Sequence, residues 1–190
     1  MAIQKILVVL GPPGSGKGTQ SSRMAKRMSY EQIVLGDLVR EFIKGDSDEA
    51  KAAKDRYDKG IPQPDEVATK LLAEKLPTIK SEGVVIDTYP LSVGQAQALD
   101  EITRVLGVYD LRVIFLNVGK DEIVRRIAAR GQNRSDDKPE IAAKRYDEYE
   151  QRNAPIKEYY KNKGILLEVD GEHEIDAVHH DIAKKMGLDL

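Results

Sequence analysis

The 190-residue chain has no cysteine and no tryptophan, and only two phenylalanines. Without thiols there can be no disulfide framework and no thiolate metal centre, so zinc is not expected and a reducing interior is permitted. With so few large aromatics the core must be mainly aliphatic. There is no excess of charge either: Lys and Arg number 30 against 32 Asp and Glu, a formal net charge of -2. That balance offers no general attraction to nucleic acid or to an anionic membrane, so any anion site has to be local. Long apolar runs are also missing. The earliest, Ile6 to Leu10, is far below the ~20 residues of a membrane span and leads straight into Gly11-Pro12-Pro13-Gly14. These absences predict a cytoplasmic chain working on small molecules, with no nucleic-acid or membrane partner.

What is present is an alternation. Lys5 to Leu10, Val84 to Asp87, Val113 to Val118 and Ile165 to Val169 are short runs rich in Val, Ile and Leu, which read as buried strands, with a weaker one near Gln32 to Leu35. Helical spacing fills the gaps between them, so the fold class is α/β, a doubly wound sheet of about five parallel strands with helices on both faces. The length suits one domain, with a core of residues 1–34, 77–130 and 140–190. Residues from about 35 to 76 break the pattern as a helical insertion, with pieces over Asp37 to Ile43, Asp48 to Lys59 and Asp65 to Leu76. A short polar stretch at about 131–139 reads as a lid between a helix ending near Arg130 and one running from about Glu140 to Arg152. His173, His179 and His180, in or near a C-terminal amphipathic helix, read as surface residues, and Tyr146, Tyr149, Tyr159 and Tyr160 as helix packing.

The strongest local signal follows the first strand. In Gly11-Pro12-Pro13-Gly14-Ser15-Gly16-Lys17-Gly18-Thr19, Gly11, Gly16 and Lys17 hold the G-x-x-x-x-G-K spacing of a phosphate loop. Such a loop curls so that successive N–H groups face one anion, the helix N-terminus adds positive potential, and the lysine reaches the outer phosphates. Thr19 is placed to meet magnesium, although Gly18 stands where the strict motif has its hydroxyl. Phosphoryl transfer also asks for fixed positive charge from several segments. Arg126 and Arg130 are four apart on one helix face, Arg134 lies across the lid turn and Arg145 sits in the next helix.

The continuation Gly-Lys-Gly-Thr-Gln, over residues 16–20, closely resembles the opening of the adenylate kinases and related nucleoside monophosphate kinases of the short-lid type. Gly36-Asp37-Leu38-Val39-Arg40 resembles that family's acceptor-side Gly-Asp-x-x-Arg, and Asp87-Thr88-Tyr89-Pro90 its Asp-Gly-Phe-Pro strand end. Gln95 falls at its base-reading glutamine. The resemblance implies a reversible transfer from ATP with Mg2+ to AMP, giving two ADP, by a monomer. It places Lys17, Arg130, Arg134 and Arg145 around the transferring phosphates and Arg126 near the donor's adenine. The acceptor would lie against Leu35, Gly36, Gln63 and Gln95, with Arg40 gripping its phosphate and Arg134 and Arg145 reaching it as well, and the metal shell would involve Thr19 and Asp87. Asp136 and Asp137 would order the lid arginines or cap the helix behind Pro139.

Three positions depart from the family's pattern. Leu91 stands where an arginine follows the strand-end proline, Leu35 replaces a threonine, and Gln63 occupies a position beside the acceptor base that is usually apolar. Losing a bidentate arginine–phosphate pair, a contact of roughly 1.5–3 kcal/mol, would weaken acceptor handling by roughly ten- to a hundredfold. The sequence therefore leaves open CMP, UMP or a small metabolite as acceptor, and a catalytically weakened nucleotide sensor.

Overall fold

The computed structural model describes residues 3–129 and 139–188. Five strands, β1 (Lys5–Leu10), β2 (Glu31–Val34), β3 (Gly83–Asp87), β4 (Asp110–Asn117) and β5 (Leu166–Asp170), form one parallel sheet in the order β2-β3-β1-β4-β5. The first strand lies in the middle, so both of its faces are covered, which is what an unbroken apolar run requires. Successive side chains alternate between two cores. Ile6, Val8 and Leu10 pack with residues of α4 (Asp65–Lys75), α5 (Val93–Leu106) and α7 (Pro139–Asn162). Leu7 and Val9 pack instead with Met24 and Ala25 of α1 (Lys17–Met28) and with Val178 and Ile182 of α8 (Ile175–Lys185). Burying each such aliphatic side chain contributes about 1.5–3 kcal/mol, an upper figure because the unfolded chain is already partly collapsed. Strand β2 was the faintest in the sequence because it is an edge with one buried residue, Ile33.

Between β2 and β3 the chain forms α2 (Leu35–Phe42), α3 (Asp48–Asp58) and α4, closed by a 3-10 turn at Leu76–Thr78. The expected helical insertion is thus present, except that Leu35 opens α2 instead of ending the strand. Ser47 caps α3 by accepting from the Ala50 N–H at 3.1 Å, and Ser92 caps α5 by accepting from the Gln95 N–H at 3.0 Å. After β4, α6 (Lys120–Ala129) precedes the lid region expected at about 131–139, of which only Pro139 lies among the described residues.

One helix is longer than its sequence suggests. The expectation ended α7 near Arg152, yet the helix runs on through Pro155 to Asn162. Proline removes the donor that would pair with the Gln151 carbonyl, but Ile156 and Tyr160 beyond the proline are fully buried in the core. Tertiary packing outweighs the local break. Of the histidines, His173 and His180 are exposed, whereas His179 is half-buried and its pKa is lowered, first by that burial. Among the described residues no helix is long and apolar enough to cross a membrane.

Candidate active site

The parallel arrangement brings the carboxyl ends of β1 and β3 side by side, with Asp87 paired in register with Val9, two residues before the glycine loop. From there the chain curls into α1. Gly14 and Gly16 adopt φ 92° and 87°, a left-handed conformation that side chains with a Cβ resist. Gly16 is the N-cap of α1, no side chain caps that helix and no acidic residue lies in its first turn. Unlike α3 and α5, then, α1 keeps its orphan N–H groups for an outside anion. Ser15 adds a buried hydroxyl that lacks a hydrogen-bond partner among the described residues. Lys17 folds over the loop, its Nζ donating to the Pro12 carbonyl at 3.5 Å.

Asp87 closes the floor of this cradle. It is 5% exposed, and a Cβ added to Gly18 would stand 3.4 Å from its Oδ2, so the absent side chain at Gly18 keeps the approach to the carboxylate open. Burial pushes its pKa up. The nearby Lys17 charge pulls it back, as does the Thr88 hydroxyl, which donates to Oδ1 at 3.1 Å, while Asp37 pushes it up further. A buried, under-compensated carboxylate beside a phosphate cradle suits a hard divalent cation, which takes oxygen donors and keeps much of its water. Thr19 is exposed in the first turn of α1.

A cleft of about 770 Å³ runs past the loop, lined by Gly11, Pro13 and Lys17 on one side and by Glu148, Tyr149 and Arg152 of α7 on another. Beside it is a smaller pocket of about 170 Å³ lined by Leu35, Gly36, Val39, Gln63 and Gln95, among others. The two share Pro62, Thr88 and Leu91, so the small pocket opens onto the cleft. Thr88 stands at this junction with φ 66°, a costly conformation for a β-branched residue.

Of the predicted acceptor residues, Leu35, Gly36, Gln63 and Gln95 line the small pocket, the polar groups of the two glutamines already partly committed. Gln95 is 2% exposed; its Nε2 donates to Asp65 Oδ1 at 2.7 Å and its Oε1 accepts from the Leu91 N–H at 2.7 Å. Gln63 donates from Nε2 to the Ala53 carbonyl at 2.8 Å, while its buried Oε1 has no partner among the described residues. Arg40 is exposed, its guanidinium 3.3 Å from where a Cβ on Gly36 would stand. The Tyr57 hydroxyl, and then the Asp37 carboxylate that Arg40 pairs with, raise its pKa. Arg126, expected near the donor, is half-buried on α6 and donates to Glu122 at 2.5 Å, and Arg125 together with Arg126 pulls the Glu122 carboxyl down to about 2. Arg130, Arg134, Asp136 and Asp137 lie outside the described residues, as does the side chain of Arg145. The residue overlooked in the sequence is Arg152, whose place in the cleft no spacing rule discloses.

What the fold and the loop define together is a P-loop phosphotransferase. Comparison with known proteins fixes which kind. A family model described as adenylate kinase matches residues 9–165. Across 190 aligned residues the chain is 32% identical to an adenylate kinase of Thermus thermophilus, covering 99% of this chain and 100% of that protein. It is 35% identical to an adenylate kinase of Archaeoglobus fulgidus, covering 93% and 95% respectively, and 36% identical to one of Phocaeicola vulgatus, covering 93% and 95%. The chain belongs to the adenylate kinase family, and it is a nucleotide-binding phosphotransferase, a nucleoside monophosphate kinase, with a phosphate group as acceptor.

Proposed function

We propose that this enzyme transfers the terminal phosphoryl group of ATP to AMP, reversibly, giving two ADP. The observation that carries the acceptor choice is the orphaned Gln63 Oε1. With Nε2 fixed on the Ala53 carbonyl, Gln63, which lines the pocket, has only its buried oxygen to turn towards a base, and that acceptor suits an exocyclic amino group, which uracil lacks. The relatives' name favours adenine over cytosine. Gln95 frames the same pocket; to pair with a base its amide would have to exchange Asp65 or Leu91 for it.

On the donor side the uncapped start of α1, Lys17 and Ser15 bind and orient the triphosphate, and Arg126 lies towards the adenosine. An oxygen of the acceptor's phosphate forms the new P–O bond as the bridge between the β- and γ-phosphates breaks, and the leaving ADP keeps the electron pair. Arg130, Arg134 and Arg145 supply the positive charge that grows in value as that bond changes. Asp87, with Thr19, would hold Mg2+, which when bound neutralises phosphate charge. Closure of the insertion and the lid excludes water, so that the acceptor and not solvent takes the phosphoryl group.

A coupled assay with ATP against AMP, CMP and UMP tests this reading. AMP should be the best acceptor, and excess EDTA should stop turnover; UMP as the preferred acceptor, or full activity in EDTA, would refute it. Gln63→Leu supplies a sharper check. Removing one hydrogen bond of about 1.5 kcal/mol should raise the AMP Michaelis constant about tenfold and leave that for UMP unchanged.

A further inference from the structure

We infer that Arg152 binds the phosphate of the acceptor. The inference rests on the reading that the small pocket takes the acceptor's base, and it begins from the way the two cavities join. A monophosphate seated by its base among Gln63, Val39 and Leu35 must send its phosphate out past Thr88 and Leu91, because these residues line both the pocket and the cleft. Leu91 offers that dianion only hydrocarbon. Among the described residues the cations lining the cleft are Lys17 and Arg152, and Lys17 belongs to the glycine loop that takes the donor's phosphates. Arg40 lies over Gly36 instead and is engaged by Asp37 and Tyr57.

Arg152 is well built for the task. Its side chain leaves α7 between Gln151 and Asn153, and Asn153 and Tyr149 are 3% and 8% exposed, so the turn of helix that carries it is anchored in the core by a neighbouring face. Its guanidinium, on an exposed residue, donates from Nε to the Glu148 carbonyl at 3.2 Å, a bond that uses one of five donors. A planar fork of this kind matches two phosphate oxygens at once. One carboxylate, Glu148, also lines the cleft, and it sits 3.9 Å from Lys144. The charge missing at position 91 is in this way supplied from a different element, from across the cleft.

Steady-state kinetics on the full-length enzyme test the assignment, with the monophosphate that wild type uses best as the varied acceptor. Arg152→Met should raise the acceptor's Michaelis constant about tenfold or more and leave that of ATP within about twofold. Arg152→Lys should fall between, because it keeps the charge and loses the fork. Adding Leu91→Arg to Arg152→Met should recover most of the loss, whereas Leu91→Arg in the wild type, whose phosphate is already held, should gain less than about threefold. Thermal melts of each variant confirm folding. If Arg152→Met melts like wild type and its acceptor constant stays within about twofold, Arg152 is a surface residue and the inference fails while the acceptor assignment stands. If wild type phosphorylates none of AMP, CMP and UMP, the assignment itself fails and takes the inference with it.

Discussion

Lys17→Met is expected to lower turnover by roughly a thousandfold, the scale of losing one fixed charge or donor aimed at a transferring group. The uncapped N-terminus of α1 supplies partial charges from backbone N–H groups, but a full positive charge that can follow the outer phosphates comes from Lys17, which already bends over the loop to the Pro12 carbonyl. Methionine keeps the length of the stem and removes the ammonium. Because transition-state interactions are lost more than ground-state ones, the Michaelis constant for ATP should move far less than the turnover. The fold should survive, since Lys17 is only half-buried. Coupled assays and a thermal melt on the same preparation check this, and turnover within about tenfold of wild type would remove Lys17 from the reaction.

How legible this site was depends on whether its parts are local. The run from Lys5 through Thr19 states strand, turn and helix in consecutive residues, each by its own chemistry: an unbroken apolar run, a glycine-rich turn, and the lysine that opens the helix. It was readable without any distant contact. Asp87 was readable as well, because a lone acid ending a Val-rich strand points to the ligand-binding edge of a parallel sheet. The order of the strands was not, since nothing within a strand says which neighbour it will take. Nor was the continuation of α7 past Pro155, where a local rule loses to the burial of Ile156 and Tyr160. Arg152 was invisible for a related reason. An arginine on a charged helix reads as solvated surface until the sheet and the insertion set Lys17, Thr88 and Leu91 around the same cleft. The two glutamines that the sequence set beside the acceptor differ in a way only the three-dimensional arrangement discloses: the Gln95 amide is engaged by Asp65 and Leu91, whereas Gln63 keeps an oxygen without a partner among the described residues.

Asp87→Asn should produce opposite changes in activity and stability. The carboxylate is buried at the end of β3 and burial is the largest influence on it, raising its pKa; Lys17 and the Thr88 hydroxyl compensate in part. A raised carboxyl pKa means that the folded state prefers the protonated form. The resulting destabilisation is absent below the unfolded pKa, grows as pH rises towards the folded one, and is complete once the pH lies above it. Asparagine is nearly isosteric and can still accept from Thr88, so in metal-free buffer at pH 7 the variant should melt higher than wild type, by about 2–4 °C for each kcal/mol relieved in a chain of this size. The gain should shrink as the pH approaches 4. It should also be larger in a Lys17→Met background, where the opposing positive charge is gone, so the two substitutions will not be additive. Turnover should fall by roughly a hundredfold or more, because the neutral amide is a poor partner for a hydrated Mg2+. A residue kept at a cost to stability is what a functional site looks like. A variant that melts lower than wild type, or one that turns over normally at the same Mg2+ concentration, would show that Asp87 serves the strand end and not the reaction.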